Sequence, residues 1–484
     1  MKRAKMPDGG ILSRRAVWIV AAITLARAVA LWFGRTDLFV DESQYWLWGQ
    51  NLDLGYYSKP PLIAWVIRAV TEVAGSDAPF WVRLPGPIFH GATALILGAL
   101  AARLFSGRAA FWVAVTYATL PFAALGSLLI STDTIMAPFF AAALLFHFRT
   151  IAHGRAGAAA VAGVAVGLAF LAKYAAVYFF VGAALAALFV PSARISAGNT
   201  AILLGAFAVT VAPNIAWNVA NDLTTLEHTM DNVGWVRDDG WLGGLNPAGL
   251  TEFVLSQFAV FGPVLFAALL VGYLRPGSER MRALVFLSVP ALLTVCVQAL
   301  LDKAYANWAV AAYFAGTLIV VPLLLDRAPR ALWLSLAING AVAVLLPLLT
   351  LIAPAPVRDG KPLLARYLGR ADLSREIIAA ARETGGQTIV ARDRDILADL
   401  FYTGRGMGLA IHAPKPAGRP QNYYEQIYPL PDSAGQVLLI ADRAPDCGSG
   451  EVSATRRFDA ERGAYAGRDI AAYLIPSDCA NARP

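Results

Sequence analysis

Apolar windows close to the length that crosses a bilayer recur at about 16–33, 83–104, 109–129, 134–149, 157–172, 174–190, 200–219, 252–274, 283–301, 307–325 and 331–352. Backbone N–H and C=O groups in hydrocarbon find no water, so such windows must satisfy themselves as helices. The chain therefore reads as a mainly α, polytopic membrane protein of about eleven spans. Composition agrees, with 57% hydrophobic and only 15% charged residues, which excludes an ordinary soluble domain. The net charge of +7 does not point to nucleic acid, because Lys and Arg sit in short clusters between apolar runs.

The basic start before Ala16 resembles a signal peptide, but the apolar stretch to Phe33 is long enough to span and no small-residue cleavage site follows it. It reads as the first transmembrane helix. Residues 61–74 are apolar too, but short, opened by Pro60 and Pro61 and interrupted by Arg68 and Glu72, which suits a helix lying at the interface. With that segment not crossing, Arg14/Arg15, Arg103/Arg108, Arg149/Arg155, Arg194, Arg275/Arg280/Arg282 and Arg327/Arg330 share one side, the cytoplasm by the positive-inside rule. Asp37, Asp41, Glu42, Asp53, Asp133, Asp222, Glu227, Asp231, Asp238, Asp239 and Asp302 then share the outer side.

Beyond Ile352 the Pro-rich run APAPVRDGKP separates residues 1–354, the membrane domain, from residues 355–484, a soluble α/β domain on the outer side. LSREIIAAARETGG has helical spacing and a Gly-Gly stop, while QTIVA and QVLLIA read as short buried strands. Cys447 and Cys479 lie in this domain; an oxidised pair and two free thiols both fit.

The chemistry is expected in residues 34–60, GRTDLFVDESQYWLWGQNLDLGYYSKP. Ionisable groups beside a bilayer are costly, so a compact cluster between apolar runs marks a functional site. A carboxylate there can act as general base toward an acceptor hydroxyl or amine. Lys59, held by Pro60 and Pro61, suits a phosphate that is negative both bound and leaving. Acid and cation together indicate group transfer from a lipid phosphate. Walker, Gly-x-Gly-x-x-Gly, Cys-x-x-Cys and His-Glu-x-x-His patterns are absent, so nucleotide and classical zinc chemistry lack support.

The run DESQYWLWGQNLDLGYYSKPPLIAW resembles the first extracytoplasmic loop of the GT-C glycosyltransferases of family 39, which include protein O-mannosyltransferases and lipid A aminoarabinose transferases. The resemblance continues through STDTIMAPFF, GLAFLAKY, PNIAWNVANDLTTLEH and DKAYANWAVAAY, over roughly residues 16–352. It implies an inverting transferase in the inner membrane that takes a sugar from a polyprenyl-phosphate donor and passes it to a lipid, glycan or protein on the periplasmic face. It further implies Asp41 as catalytic acid with Glu42 beside it, Asp133 as the second acidic position, and Lys59 as the donor-phosphate lysine preceded by Tyr56 and Tyr57. Lys173, Lys303, Tyr305, Asn307 and His228 are further candidates for donor or acceptor binding. The chain departs from the family at Ser58, where aminoarabinose transferases tend to carry a glutamate implicated in metal binding. No metal ligand is therefore assigned, and no cofactor is required.

Plainer roles compete at each position. Asp41 and Asp133 can cap the helices they precede, and Lys59 and Lys173 can snorkel to the interface. A transporter or flippase of lipid-linked sugars would also hold acids and lysines near a lipid path, but it predicts polar tracks deep in several spans or repeat symmetry. Here the ionisable groups gather at one face, and exceptions such as Arg27 form no track.

Overall fold

The computed structural model describes residues 12–232, 245–385, 388–448, 452–459 and 463–481. Asp238 and Asp239 of the expected outer acidic set lie outside the described residues. The chain forms two compact units, one of Met1–Trp32, Lys59–Val66 and Arg83–Pro347, the other of Phe33–Ser58, Ile67–Val82 and Leu348–Pro484.

The first unit is helical. Along the described residues six helices are long and apolar enough to cross a bilayer: Arg14–Trp32, Pro79–Leu104, Thr132–His153, Ala197–Ala220, Glu279–Leu301 and Pro329–Ile352. The window expected at 252–274 is instead two helices, Pro247–Val260 and Pro263–Leu274, bent by 113°. Gly262 sits between them at φ +93°, a conformation open mainly to glycine, and the Pro263 ring starts the second helix without an N–H to continue the first. Asn339 packs where a Gly262 side chain would stand, since a Cβ there would lie 2.2 Å from Asn339 Oδ1. Pro121 likewise breaks the window at 109–129 into Gly107–Thr119 and Pro121–Leu125, with Leu120 driven to ψ 139°. Ala156–Ala172, Tyr178–Phe189 and Ala311–Arg327 are shorter than the ~20 residues of a full span. The expected helices are thus present, and the expected number of crossings is not established by their lengths.

Helices Ala156–Ala172 and Ala197–Ala220 approach closely through Gly163 and Gly167, where an added Cβ would lie 2.2 Å from Leu203 O and 2.6 Å from Thr210 Cβ. Small residues four apart let two backbones meet where apolar lipid offers no hydrophobic drive to association. This crossing holds in register the two ends that carry Lys173 and Asn214, both used below.

The second unit is built on mixed sheet. A hairpin of β1 (Val357–Arg358) and β2 (Lys361–Pro362) precedes five strands, β3 (Thr388–Ala391), β4 (Ala410–His412), β5 (Gln436–Ala441), β6 (Arg456–Phe458) and β7 (Ile470–Pro476). Their order is β4-β3-β5-β7-β6, with β3 parallel to β4 and β5, and β7 antiparallel to β5 and β6. The expected strands QTIVA and QVLLIA are the central β3 and β5, and continuous burial of Leu438, Leu439 and Ile440 explains their lack of polar alternation. The expected helix appears as Arg370–Glu383.

The first loop belongs to this unit, whereas the reading by composition drew the boundary near 354 and left that loop with the membrane helices. Its aromatic residues are the reason. The Trp46 ring meets the edge of Tyr402 at 5.0 Å and its indole N–H donates to Asp77 Oδ1 at 2.8 Å, while Tyr402 donates to the Asp77 carbonyl. Trp48 and Tyr56 pack against Tyr423. Apolar area of this size cannot stay in water and is covered by residues that follow some 350 positions later.

Cys447 and Cys479 are joined in a disulfide, which resolves the two readings left open by the sequence. Closing a loop of 32 residues' separation contributes about 3–4 kcal/mol through loss of chain entropy in the unfolded state. Cys479→Ser is expected to lower the thermal midpoint of the detergent-solubilised protein, and reductant is expected to shift the wild type but not the variant. Thiol titration of the native protein finding three reactive cysteines would overturn this.

Two carboxylates in this unit titrate upward. Burial raises Asp37, partly opposed by the backbone N–H groups of Arg370 and Ala371, the former donating at 2.8 Å. Burial also raises Asp399, against hydrogen bonds from Ser374 and Thr403. Each binds its proton more tightly folded than unfolded, so its contribution to stability is complete below the unfolded value of 3.8 and is lost as pH rises through the higher folded value. The stability of the wild type relative to Asp399→Asn is therefore expected to fall as pH rises from about 4 toward neutrality. A thermal-midpoint difference that stays flat across this range would contradict it.

Candidate functional site

The first-loop helix Val40–Gln50 starts after Phe39, an extended residue at φ −73° and ψ 159°. Phenylalanine has no acceptor with which to cap, and the task falls to Glu42, whose Oε2 takes the Phe39 N–H at 2.9 Å. Glu42 is 2% exposed, so the carboxylate is turned into the protein. Asp41 is left free of any capping duty. Its side chain is 45% exposed, and Oδ1 accepts from Arg394 Nη2 at 2.5 Å. Arg394 opens the helix Arg394–Thr403, capped by Asp393, and its Nε donates to Gln44 Oε1 at 2.9 Å. One guanidinium thus spans Asp41 and Gln44, neighbours three apart on one helix face. Burial opposes the charge on Arg394, but Asp41 outweighs it and the guanidinium's pKa is raised.

Tyr56 lies flat on Trp48, with ring centroids 4.6 Å apart and planes within 3°. Its hydroxyl accepts from Asp53 N at 3.0 Å and sits 2.9 Å from Trp48 O. Burial raises its pKa well above the usual phenol range. Tyr57 donates to Pro420 O at 2.9 Å. Both rings are buried, and both tie the loop to its own unit.

In the helical unit, Asp133 stands in the first turn of Thr132–His153, where Ser131 supplies the cap by accepting from Thr134 N. Here too the cap that competed with a functional reading belongs to a neighbour. Lys173 Nζ reaches both Asp133 oxygens, at 2.7 and 2.8 Å, and Asn307 Nδ2 donates to Oδ2 at 2.9 Å. The pair is mostly out of water, with side chains 15% and 10% exposed. Lys173 is the residue at which Ala156–Ala172 ends, in extended conformation, and this turn swings its ammonium onto the acid. Three sequence-derived candidates, from positions 133, 173 and 307, are therefore one cluster. Lys173 spends two of its three donors on Asp133.

Lys303 sits over the Tyr305 ring at 4.8 Å, and both are exposed. Lys59 is half-buried in the turn before Leu62–Ala74, and His228 is half-buried on Thr224–Asn232. Among the described residues no three His, Cys, Asp or Glu side chains are grouped to hold a metal ion. Sequence reasoning missed Arg394, which stands in ARDRDILAD with nothing to single it out. It also missed Asn214 and Asn218, whose spacing of four was legible; Tyr174, next to Lys173, donates to Asn214 Oδ1 at 3.0 Å and accepts from Asn218 Nδ2 at 3.2 Å.

Comparison with known proteins bears on this geometry. Residues 58–217 match the family model for dolichyl-phosphate-mannose-protein mannosyltransferase. The chain is 44% identical over 472 residues to the lipid A galacturonosyltransferase RgtD of Rhizobium johnstonii, covering 96% of this chain and 99% of the relative. Its fold is similar to that of ArnT from Cupriavidus metallidurans, solved in the apo state (TM-score 0.59, 14% identity, 98% of this chain and 100% of the other). The form of ArnT bound to undecaprenyl phosphate gives a TM-score of 0.61 at 15% identity, over 97% and 99% of the two chains.

Proposed function

Because the chain belongs to the GT-C glycosyltransferases of family 39, we propose that it moves a hexuronic acid sugar from a polyprenyl-phosphate donor to lipid A on the periplasmic face of the inner membrane. That it is a membrane glycosyltransferase follows from its family, which also decides against the transporter reading. The identity of 44% along nearly the whole length to a lipid A galacturonosyltransferase carries the choice of sugar and acceptor. The disulfide supports the periplasmic placement, since such bonds persist in oxidising compartments.

In this reading the acceptor oxygen attacks the anomeric carbon as the carbon–oxygen bond to the donor phosphate breaks, and a single displacement inverts that centre. The bonding pair leaves with the phosphate, whose charge Lys59 holds. Asp41, the carboxylate of the Asp-Glu pair that faces outward, takes the acceptor proton. Asp133, held by Lys173 and Asn307, orients the acceptor. Glu42 supports the start of the helix that presents Asp41.

The reading is tested in membranes carrying the protein, supplied with a polyprenyl-phosphate hexuronic acid and lipid A. Mass spectrometry is expected to find lipid A heavier by one hexuronosyl residue, and Lys59→Met is expected to abolish the product. Transfer of only a different sugar, or to a different acceptor, would replace this substrate assignment.

A further inference from the structure

The cation paired with Asp41 comes from the C-terminal part of the chain, and no family motif in the first loop accounts for it. Arg394 Nη2 holds Asp41 Oδ1 while its Nε holds Gln44 Oε1, so the planar guanidinium, itself fixed by the Gln44 amide oxygen, holds one carboxylate oxygen of Asp41 from the same helix face. Among the described residues no further bond reaches Asp41, so Oδ2 can meet an incoming group. Tyr424 and Tyr45 are the further titratable neighbours that interact with Arg394, and Glu42 is turned away to its capping bond. Arg394 itself is aimed by its place at the first residue of a helix whose cap, Asp393, also pairs with Arg468. A tie between two secondary-structure elements needs only one bond. This one uses a fork on the face that carries the outward acid.

We propose that Arg394 is a positioning residue for the transfer reaction, by which the C-terminal domain sets the orientation of the Asp41 carboxylate. The inference rests on the reading of Asp41 as general base. It gives the C-terminal domain a part in turnover, with no contact to substrate required.

The test is a kinetic comparison of full-length wild type, Arg394→Met, Arg394→Lys, Gln44→Ala, Asp41→Asn and the double variant Asp41→Asn/Arg394→Met, using a polyprenyl-phosphate hexuronic acid with lipid A. Misplacing a reacting group by about 1 Å costs on the order of 10²-fold. Arg394→Met is expected to lose about that factor in kcat with the donor KM unchanged. Arg394→Lys keeps the charge but has no planar fork with which to hold Asp41 and Gln44 together, and it is expected to recover only a minor part of the loss. Because Arg394 acts through Asp41, its removal is expected to add nothing in the Asp41→Asn background.

Wild-type kcat in Arg394→Met, or equal fold losses in both backgrounds, would overturn the proposal. Should Arg394→Met fail to fold, Gln44→Ala and Arg394→Lys decide: both turning over at the wild-type rate would overturn it. An inactive Asp41→Asn with a fully active Arg394→Met removes this inference alone, whereas a fully active Asp41→Asn removes the reading beneath it.

Discussion

Asp41→Asn is expected to lower sugar transfer by about 10²–10⁴-fold, the range that a positioned general base supplies. Asparagine has the same shape and its Oδ1 still accepts from Arg394, so the helix Val40–Gln50 and its tie to Gln44 are expected to persist. What is lost is a group able to take a proton from the acceptor. Expression and thermal midpoint are therefore expected to match the wild type, and the loss is expected in kcat. Transfer assayed in membranes with the donor saturating is the measurement. A variant that turns over normally at normal expression would take Asp41 out of the mechanism, and Glu42, bound to the Phe39 N–H, is poorly placed to replace it.

The second large effect concerns the buried pair of Asp133 and Lys173. Removing one member of such a pair leaves an uncompensated charge in a poorly hydrated site and costs about 3–5 kcal/mol. Asp133→Ala is expected to lower stability by that amount and to abolish transfer, because Lys173 and Asn307 then converge on nothing. The double variant Asp133→Leu/Lys173→Met separates the two consequences. Apolar side chains of similar volume remove both charges together, and stability is expected to return to within about 1–2 kcal/mol of wild type while transfer stays absent. Thermal unfolding read beside transfer makes the distinction. Recovery of both stability and transfer would show that the pair only braces the helices.

The two acid motifs show how far residue patterns reach. In each, Asp precedes or opens a helix, and pattern alone leaves capping and chemistry as rivals. The rivalry ends when the cap is seen to come from elsewhere, from Glu42 in one case and Ser131 in the other. Lys173 shows the converse limit: at the end of an apolar helix it reads as a phosphate ligand or a snorkelling lysine, and neither reading brings it to Asp133. That pairing depends on a helix ending at Ala172 and on the turn that follows. The bend at Gly262 and Pro263 was legible from those two residues, but a hydropathy window averages over them and returned a single span.

Residue pattern was enough to establish a helical membrane protein, an α/β region after residue 354 with β3 and β5 at its centre, and a family of sugar transferases. These rest on solvent preference, periodicity and short motifs, all of which act between near neighbours in the chain. Which carboxylate of the Asp-Glu pair faces outward, which cation holds Asp133, the pairing of Cys447 with Cys479 and the meeting of Arg394 with Asp41 came only from the tertiary structure. The last three are bonds between side chains 32 to 353 positions apart, and their existence depends on how the intervening backbone turns, which no local preference records.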